Sequence, residues 1–284
     1  MTRVLVTGGS GKLGRVVMTS LAADGYDVLN ADRVPPPGDA PGRFVRADLT
    51  DYGQAVELLS RIEDRYDGVD ALVHLAAVPA PGLIPNAATF THNMVATHHV
   101  FAAARLAGVR NVVWASSETV LGLPFTETPP PYFPVDEDYP ARPNSSYSLV
   151  KHLEEQMAAQ LCRWDPALKM IGLRFSNVMV PSDYDRFRAF SADPLLRAWN
   201  AWGYIDARDG AQAVRLALES ELVGTEVFVI ANADTVMTQP SSHLVASVFP
   251  SVPVRRELDE HETLLSIDKA RRMLGYSPRF TWRG

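Results

Sequence analysis

A few residues in the middle of the chain have side chains suited to moving a proton. Tyr147 and Lys151 lie four positions apart in a segment with helical periodicity, which places both side chains on one helical face. A phenol normally loses its proton at about pH 10, and a neighbouring ammonium lowers that pKa towards neutrality. Ser116 and Ser117 close a predicted strand, where a hydroxyl can hold a substrate oxygen. The spacing predicts an acid/base pair beside a substrate-holding serine.

A glycine-rich turn near the start of the chain has the spacing of a phosphate-binding loop. Gly8, Gly11 and Gly14 lie between a predicted strand and a predicted helix, with Lys12 and Leu13 in the same turn. Glycines at these positions permit a tight turn, the close approach of a pyrophosphate and tight packing of the helix on the strand. The first amides of the helix add free N–H donors and a partial positive charge. The turn therefore predicts a dinucleotide site that includes these five residues.

Two acidic residues follow the next predicted strands. Asp32 lies 18 residues after Gly14, where a carboxylate accepts hydrogen bonds from both ribose hydroxyls of a dinucleotide and repels a 2′-phosphate. This favours NAD over NADP, although Arg33 can pair with such a phosphate and a turn aspartate is the alternative role of Asp32. Asp48 can accept a hydrogen bond from adenine while Leu49 covers the ring, or Asp48 can cap the next helix.

The elements that position these residues alternate between strand and helix. Short apolar runs predict strands, and longer periodic segments predict helices. The predicted strands are 4–7, 26–31, 43–47, 71–76, 111–116, 170–175 and 226–230, and the predicted helices are 13–23, 54–66, 90–107, 147–162, 211–219, 241–248 and 267–274. This order predicts an α/β fold, a Rossmann-fold doubly wound parallel sheet with a small C-terminal substrate-binding region. We expect an NAD-binding Rossmann domain over 1–175 and, over 176–284, a substrate-binding region interleaved with the last strands and helices of that domain.

Two stretches break this alternation. Residues 123–144 are rich in proline and acidic side chains, which is typical of a surface loop. Residues 181–204 are irregular and rich in aromatic side chains. The second stretch predicts either a lid or substrate wall, or an aromatic cover for the end of the sheet.

Composition limits the classes of partner. The 284 residues carry a formal net charge of −6 without a basic stripe, so we expect a small-molecule substrate and no nucleic acid. The single cysteine, Cys162, can form no internal disulfide and fits a reducing cytoplasm. No run has the length of a membrane span or of a signal-peptide core, so we expect a cytoplasmic protein without membrane contact. We expect no metal site, because the histidines of the third predicted long helix lack cysteine or carboxylate partners at ligand spacing.

Taken together, these motifs resemble the extended short-chain dehydrogenase/reductase superfamily, in its NAD-dependent epimerase/dehydratase family. The resemblance covers nearly the whole chain. The matching segments are Thr-Gly-Gly-Ser-Gly-Lys-Leu-Gly at 7–14, Asp32, Asp-Leu at 48–49, His-Leu-Ala-Ala at 74–77, Asn93, Ser-Ser-Glu-Thr-Val-Leu-Gly at 116–122, Tyr-Ser-Leu-Val-Lys at 147–151, Leu-Arg-Phe-Ser-Asn at 173–177 and the tail 267–276.

The resemblance implies a catalytic triad and an assembly. Ser117, Tyr147 and Lys151 correspond to the serine, tyrosine and lysine of the family's reaction centre. Many relatives pair through the helices that correspond to 90–107 and 147–162. The resemblance therefore implies a homodimer.

It also implies binding roles for residues outside the triad. Ala76 and Ala77 would flank the nicotinamide half of the cofactor, and Asn177 would lie near the nicotinamide or the substrate. Asn93 would support the site through its helix, with a capping or helix–helix contact as its alternative role.

The chain departs from the nucleotide-sugar epimerases of this family in two places. The stretch after Asn177, which in those enzymes forms most of the nucleotide-sugar pocket, is short here, and Trp202 stands where they carry an arginine for the pyrophosphate. In size and layout the chain is similar to the uronate dehydrogenases, which oxidise a free sugar acid at C1 and hold its carboxylate with an arginine. Arg186 or Arg188 is available for that task, and a surface position is the alternative.

Three functions follow as hypotheses. The first is an NAD(P)-dependent oxidoreductase that transfers hydride between nicotinamide and a secondary alcohol or carbonyl carbon of a small sugar-like or polyhydroxylated substrate, sugar acids included. The second is an NAD-dependent sugar or nucleotide-sugar epimerase or dehydratase, which keeps its cofactor. The third is a non-catalytic NAD-sensing binding protein, against which the intact serine, tyrosine and lysine set argues.

Overall fold

A parallel β-sheet runs through the part of the chain that the computed structural model describes, residues 1–60 and 68–283. The strands are β1 (Arg3–Thr7), β2 (Asp27–Asp32), β3 (Arg43–Arg46), β4 (Ala71–His74), β5 (Asn111–Ser117), β6 (Lys169–Phe175), β7 (Val178–Met179), β8 (Ile205–Asp206) and β9 (Gly224–Ile230). Within the described residues, seven of them form one sheet in the order β3-β2-β1-β4-β5-β6-β9, and β7 pairs with β8 in a second, parallel pair. Every neighbouring pair of the large sheet is parallel.

Helices cover both faces of this sheet. They are α1 (Lys12–Ala23), α2 (Tyr52–Ser60), α3 (Asn86–Leu106), α4 (Ser146–Trp164), α5 (Phe187–Ala192), α6 (Leu195–Ala198), α7 (Ala207–Glu219), α8 (Ser241–Val248) and α9 (Asp268–Leu274), with 3₁₀ helices at Glu118–Leu121 and Pro181–Arg186. On one face α2, α3 and α4 lie side by side, and on the other α1 packs against α7. None of these described helices is both long and apolar enough to cross a bilayer.

Alternate side chains of each strand enter the two cores. In β1, Val4 and Val6 pack in the core that contains α1 and α7, whereas Leu5 packs in the core under α2, α3 and α4. All three side chains are buried. Because both faces of a parallel sheet are covered, its strands are apolar at consecutive positions rather than at every second one.

The strand order places a crevice next to the first strand. From β1 the chain builds outward through β2 and β3, and it then crosses back to place β4 on the other side of β1. The loops that leave β1 and β4 therefore diverge towards opposite faces of the sheet. In doubly wound folds a ligand binds in the opening between such loops, outside the carboxyl ends of the strands.

The start of α4 is fixed by a reciprocal cap. The amide of Ser148 donates to Oγ of Ser145 at 3.1 Å, and the amide of Ser145 donates to Oγ of Ser148 at 2.9 Å. These bonds satisfy amides that a helix start otherwise leaves unpaired. Tyr147 lies in this capped first turn, and the helix packs against β5.

The predicted α/β fold with its doubly wound parallel sheet is confirmed, with shifts at some boundaries. Helix α3 begins at Asn86, with Pro85 as its N-cap, whereas the apolar periodicity predicts a start at residue 90. The first turn, Asn-Ala-Ala-Thr, carries no apolar periodicity that would reveal it. Helix α2 is described to Ser60, and residues 61–66 of the predicted helix 54–66 lie outside the described residues.

The aromatic stretch 181–204 is folded and mostly covers the end of the sheet. Phe187, Trp202 and Tyr204 are fully buried. The rings of Phe187 and Tyr204 lie 5.2 Å apart, and Trp202 contacts Phe249 with ring centroids 5.6 Å apart. These three side chains belong to the core that contains α1 and α7, whereas Tyr184, Phe190 and Trp199 are half-buried and Trp199 lines the cavity.

Candidate active site

A cavity of about 900 Å³ opens at the crevice outside the carboxyl ends of the strands, within the size range of cofactor and substrate sites. Most of the residues that the sequence assigns to a site meet there. Those that line it are Gly8, Gly11, Lys12, Leu13, Gly14, Asp32, Leu49, Ala76, Ala77, Ser117, Tyr147, Lys151 and Asn177. Asp48, Asn93 and Arg186 are not among the described lining residues.

The glycine-rich turn is packed so closely that neither Gly8 nor Gly14 has room for a side chain. Gly8 has a φ of +72°, and a Cβ there would lie 2.7 Å from the amide nitrogen of Ala76. A Cβ on Gly14 would lie 2.1 Å from the carbonyl oxygen of Gly8. At Gly11 a Cβ would meet only that same oxygen, at 3.2 Å, so this position is open towards the cavity.

The amides at the start of α1 are open to a ligand. Gly11 is the N-cap residue, and no described side chain caps it. These N–H groups lie at the cavity and carry the positive end of the helix dipole. Open amides, a glycine surface that a Cβ would fill and a carboxylate at the end of β2 fit the phosphates and ribose of a dinucleotide.

Asp32 faces the cavity and also holds the turn. Its Oδ2 accepts from the amide of Ser10 at 3.1 Å, and its Oδ1 accepts from the amide of Val34 at 3.3 Å. The carboxylate therefore makes the turn contacts that were its alternative role, and it lines the cavity as the ribose role requires. Arg33 lies beside it, exposed, and also lines the cavity.

Asp48 and Asn93 act on the backbone around the cavity. Oδ1 of Asp48 accepts from the amide of Thr50 at 3.0 Å and from its hydroxyl at 2.7 Å, and these bonds lower the pKa of Asp48. The side-chain amide of Asn93 pairs with both backbone groups of Val78, at 2.8 and 3.0 Å. Asn93 thus fixes the segment directly after Ala76 and Ala77. These bonds join its helix to a loop and not to another helix.

Ser117, Tyr147 and Lys151 lie together and are nearly excluded from solvent, with residue exposures of 7, 7 and 2%. Oγ of Ser117 accepts from the amide of Thr119 at 3.2 Å and from its hydroxyl at 3.0 Å, which leaves the serine's own proton free to donate. Nζ of Lys151 donates to the carbonyl oxygen of Ala115 at 2.8 Å.

The phenol of Tyr147 is held between opposing influences. Burial raises its pKa, and the ammonium of Lys151 and a hydrogen bond from Ser117 act against that rise. In the net balance the pKa of Tyr147 lies above its usual value. A positive charge added to the cavity would therefore favour the phenolate further.

Sequence reasoning assigned no role to Glu118, which lines the cavity next to Ser117. Its carboxyl is buried and accepts from Oγ of Ser176 at 2.5 Å and from Nδ2 of Asn200 at 3.1 Å. Burial raises the pKa of Glu118 to about 7. An acidic residue directly after the serine pair was the available signal, but its partners come from segments 58 and 82 residues away.

Arg186 and Trp202, both in the stretch 181–204, are not among the described residues that line the cavity. Arg186 is exposed at the end of a 3₁₀ helix, away from the described lining. Trp202, predicted at the position of a pyrophosphate-binding arginine, is fully buried and donates its Nε1–H to the carbonyl of Pro194 at 2.8 Å. Trp199 lines the cavity instead.

Comparison with known proteins agrees with this geometry. The chain is 28% identical over 188 residues to the UDP-glucose 4-epimerase of Bacillus subtilis, covering 61% of this chain and 52% of that protein. It is 30% identical over 161 residues to the uronate dehydrogenase of Pseudomonas putida, covering 55% of this chain and 54% of that protein. The match thus spans about half the length of each of these relatives.

A solved structure of a UDP-galactose 4-epimerase matches the whole fold. Its TM-score is 0.72 at 26% identity, and the match covers 99% of this chain and 94% of that one. The sequence profile described as "NAD dependent epimerase/dehydratase family" matches residues 4–231, which run from β1 to the end of β9. The chain therefore belongs to the NAD-dependent epimerase/dehydratase family.

Proposed function

We propose that this protein is an NAD-dependent oxidoreductase acting on a secondary alcohol or carbonyl carbon of a small sugar-like or polyhydroxylated substrate. The observation that carries the proposal is the presence of Ser117, Tyr147 and Lys151 in the same cavity as the glycine-rich turn. The family to which the chain belongs supports NAD as the cofactor.

The cofactor would be held by residues that already fit it. The turn 8–14 would bind the phosphates through its amides, and Asp32 would accept from the adenosine ribose. Leu49 would cover the adenine, and Ala76 and Ala77 would lie beside the nicotinamide half, since all three line the cavity. When bound, NAD supplies the carbon that accepts or gives the hydride.

The side chains of the chain handle the proton and the substrate oxygen. Ser117 gives the substrate oxygen its one hydroxyl proton, which the phenol of Tyr147 otherwise accepts, and so fixes the position of that oxygen. Tyr147 takes the proton of an alcohol, or returns it to a carbonyl, through its phenolic oxygen. The ammonium of Lys151 stabilises the phenolate that this step needs.

The charges of the lining favour a neutral, hydroxylated substrate. Among the described lining residues the lysines and arginines are Lys12, Arg33 and Lys151. Arg33 and Lys151 lie with the predicted cofactor residues, whereas Nζ of Lys12 lies 3.4 Å from the carbonyl of Val178 and is paired with Asp183 at 3.0 Å. Beyond Ser117 the polar lining consists of carboxyl, hydroxyl and amide groups, including Glu118 and Asn177. Such groups bind sugar hydroxyls well and offer no cation for a diphosphate or a carboxylate. A sugar acid as substrate would require Arg186 to move towards the cavity.

The direct test replaces the phenol. Tyr147→Phe removes one oxygen and is expected to abolish NADH formation on a panel of free sugars and sugar acids, with NAD affinity nearly unchanged by calorimetry. Tyr276→Phe is the matched control, because that tyrosine is equally buried but its hydroxyl donates to the carbonyl of Ala231 away from the cavity lining. Full activity of Tyr147→Phe overturns the proposal.

An epimerase is the second candidate, favoured by the match to UDP-glucose 4-epimerase of Bacillus subtilis. Such an enzyme returns the hydride, so the protein would be purified with tightly held NAD and would convert epimers without added cofactor. NADH absorbance that grows with added NAD and a free sugar distinguishes the oxidoreductase. NAD binding without either reaction would leave the third hypothesis, a non-catalytic sensor.

We also propose a homodimer formed through α3 and α4. The two helices pack side by side, and the exposed apolar residues Leu106, Leu149 and Trp164 lie on them. Trp164→Glu is expected to shift the protein to monomers in sedimentation velocity. The same mass for wild type and variant at every concentration would contradict a dimer formed through α3 and α4. The division into 1–175 and 176–284 and a cytoplasmic location stay predictions.

A further inference from the structure

The ammonium of Lys151 is held by a buried carboxylate on its own helix. Its Nζ lies 2.9 Å from Oε2 of Glu154, and the side chains are 3% and 0% exposed. With the carbonyl of Ala115 as the second described acceptor, one N–H of the ammonium remains for the cavity. A buried ion pair of this kind is costly to form and is strongly perturbed when one partner is removed.

Behind Glu154 a chain of hydrogen bonds runs to the glycine-rich turn. The hydroxyl of Thr97 donates to Oε1 of Glu154 at 2.8 Å. Oγ1 of Thr97 lies 3.1 Å from Nε2 of His74, and Nδ1 of His74 lies 2.7 Å from Oγ1 of Thr7. Thr7 directly precedes Gly8, and its Oγ1 accepts from the amide of Ala76 at 3.3 Å.

The chemistry of these groups fixes the direction of every bond. A hydroxyl has one proton, so Thr97, which gives its proton to Glu154, must accept from Nε2–H of His74. His74 then has a bare Nδ1 and accepts from Thr7. Burial, with a smaller effect of the Lys151 ammonium, lowers the pKa of His74 to about 3, so the imidazole is neutral at working pH. Thr7, His74 and Thr97 therefore each donate to the next group in this series of hydrogen bonds, which ends at the carboxylate of Glu154.

The neighbouring residue provides a contrast within the same helix. Glu155 pairs with Arg174 at 2.8 Å and accepts from the hydroxyl of Ser116 at 2.6 Å. This second ion pair is also buried, yet it makes no hydrogen bond to Lys151, Thr97 or His74 among the described residues. It anchors α4 to β5 and β6, whereas Glu154 acts on the ammonium beside Tyr147.

Charges from several elements act on the tyrosine and lysine pair. Lys151 favours the phenolate of Tyr147, whereas Glu154 from the same helix and Glu118 from the 3₁₀ helix disfavour it. Burial lowers the pKa of Lys151, but Glu154, Tyr147 and Glu155 together outweigh burial, and the ammonium stays charged. His74, which faces Glu154 through Thr97, is neutral and adds no charge.

We propose that Glu154 is a positioning residue of the reaction centre, which holds the Lys151 ammonium against the cavity wall, moderates its pull on the Tyr147 phenol and links both to the glycine-rich turn through Thr97 and His74. This inference rests on the proposed function, in which Tyr147 moves the proton. It adds a residue that touches neither substrate nor cofactor and acts through Lys151.

Glu154→Gln tests the inference because it changes the charge and keeps the size. An ammonium needs an acceptor, so the amide oxygen turns to Lys151 and the amide N–H₂ faces Thr97. Thr97 must then accept from the amide and give its own proton to His74, whose proton moves from Nε2 to Nδ1. Nitrogen chemical shifts of the imidazole are expected to report this change of tautomer in the protein alone, without cofactor or substrate.

The second readout is the pH profile. Glu154→Gln removes a negative charge that disfavours the phenolate of Tyr147. The acid limb of the plot of turnover against pH is therefore expected to move towards lower pH by about one unit. Glu155→Gln is the matched control, because the charge of Glu155 acts on Lys151 more weakly than that of Glu154. It is expected to lower thermal stability, to leave the tautomer in place and to move the limb by less than Glu154→Gln does. The inference is overturned if the wild-type imidazole carries its proton on Nδ1, or if Glu154→Gln leaves the limb unmoved.

Failure of the proposed function has a different signature. Full activity of Tyr147→Phe removes the role of the tyrosine, whereas the tautomer of wild-type His74 is decided by magnetic resonance whatever the reaction. That measurement needs no variant, so the hydrogen-bond chain stays testable even if Glu154→Gln does not fold.

Discussion

The cavity has two walls that are built in different ways. The cofactor wall consists of the turn 8–14, Asp32 and residues 76–77, and the outer wall consists of residues 175–178 and Trp199. The cofactor wall is mostly backbone at the ends of neighbouring strands, where glycines allow contacts that no side chain could share. The outer wall is made of side chains held by contacts between distant segments.

The supports of the outer wall show this dependence. Glu118, in the 3₁₀ helix after β5, accepts from Ser176 after β6 and from Asn200 after α6. Arg197 donates to the carbonyl of Gly203 at 2.7 Å and lies 5.4 Å from the ring of Trp199. A wall of local backbone geometry suits groups that never change, such as phosphates. A wall of long-range side-chain contacts can change its shape with few substitutions, and this suits substrate selection.

The cofactor wall should fail completely when its backbone contact is filled. In Gly14→Ala the new methyl would lie 2.1 Å from the carbonyl oxygen of Gly8, so α1 must move away from β1. We expect a loss of more than about 3 kcal/mol of unfolding free energy and no measurable NAD binding, checked by denaturant unfolding and calorimetry.

Gly25→Ala separates the clash from the effect of backbone conformation. Gly25 has a φ of +86° and no described atom within 4 Å of a built Cβ. It should cost only about 1–2 kcal/mol, the strain of a left-handed alanine, with NAD binding retained. Equal losses in the two variants would contradict the packing argument for Gly14.

The outer wall should respond to pH through Glu118. Its pKa is raised from 4.5 to about 7 in the folded protein, so the folded state binds more protons than the unfolded state between these values. The stability of the wild type therefore falls as pH rises from about 4.5 to about 7, and the loss is complete above that window. Glu118→Gln has no such charge, and it should gain roughly 2 to 3 kcal/mol relative to wild type between pH 4.5 and pH 8.

The Glu118 effect is measured by denaturant unfolding at the two pH values. The amide can accept from Asn200 and donate to Ser176, whose hydroxyl serves in either direction. Other titrating groups, His74 among them, contribute equally to wild type and variant and cancel in the comparison. Glu127 is exposed, so Glu127→Gln serves as the control. Its difference in unfolding free energy from the wild type should be the same at the two pH values. A pH-independent difference for Glu118→Gln rules out the raised pKa.

The two walls also differ in how far the sequence predicts them. The strand, turn and helix around Gly8 to Gly14 follow from local patterns, and Tyr147 and Lys151 share a face because of helical spacing alone. The alternative role of Asp48 as a helix cap is taken by a neighbour, since Asp48 bonds Thr50 before α2 and the amide of Gln54 in the first turn donates to Oδ1 of Asp51 at 3.2 Å. The contact of Asp48 with adenine stays a prediction. The cofactor wall could thus be predicted almost completely.

Apart from Asn177, which the resemblance placed at the site, the outer wall could not be predicted, because its geometry depends on backbone angles and partners that no local pattern indicates. Ala201 and Trp202 have φ values of +51° and +59°, which residues other than glycine rarely adopt. These angles accompany the turn that buries Trp202 in the core, whereas the resemblance showed only that Trp202 stands where relatives carry an arginine. The partners of Glu118 were hidden for the same reason, since they lie 58 and 82 residues further along the chain.

Removing the carboxylate from the cofactor wall should change the choice of nucleotide. Asp32→Ala loses the acceptor for the ribose and the charge that repels a 2′-phosphate, while Arg33 remains. We expect NAD to bind about tenfold more weakly, the value of one charged hydrogen bond, and the ratio of NADP to NAD affinity to rise. Calorimetry with both nucleotides decides this, and an unchanged ratio would exclude Asp32 from the ribose site. Asp27→Asn, which weakens the ion pair with Arg3 at the amino end of β2, controls for stability.

The smallest effect is expected at Arg186, which the sequence placed at the substrate and the structure places on the surface. Since its side chain is exposed and outside the described lining, Arg186→Ala should change KM for a neutral sugar by less than about twofold. Trp199→Ala removes part of the outer wall and should raise KM by about tenfold at similar NAD affinity. A large rise in KM for a sugar acid alone in Arg186→Ala would show that the arginine moves into the cavity when an anionic substrate binds. The outer wall would then be completed only when the substrate binds, whereas the cofactor wall is already formed in the protein alone.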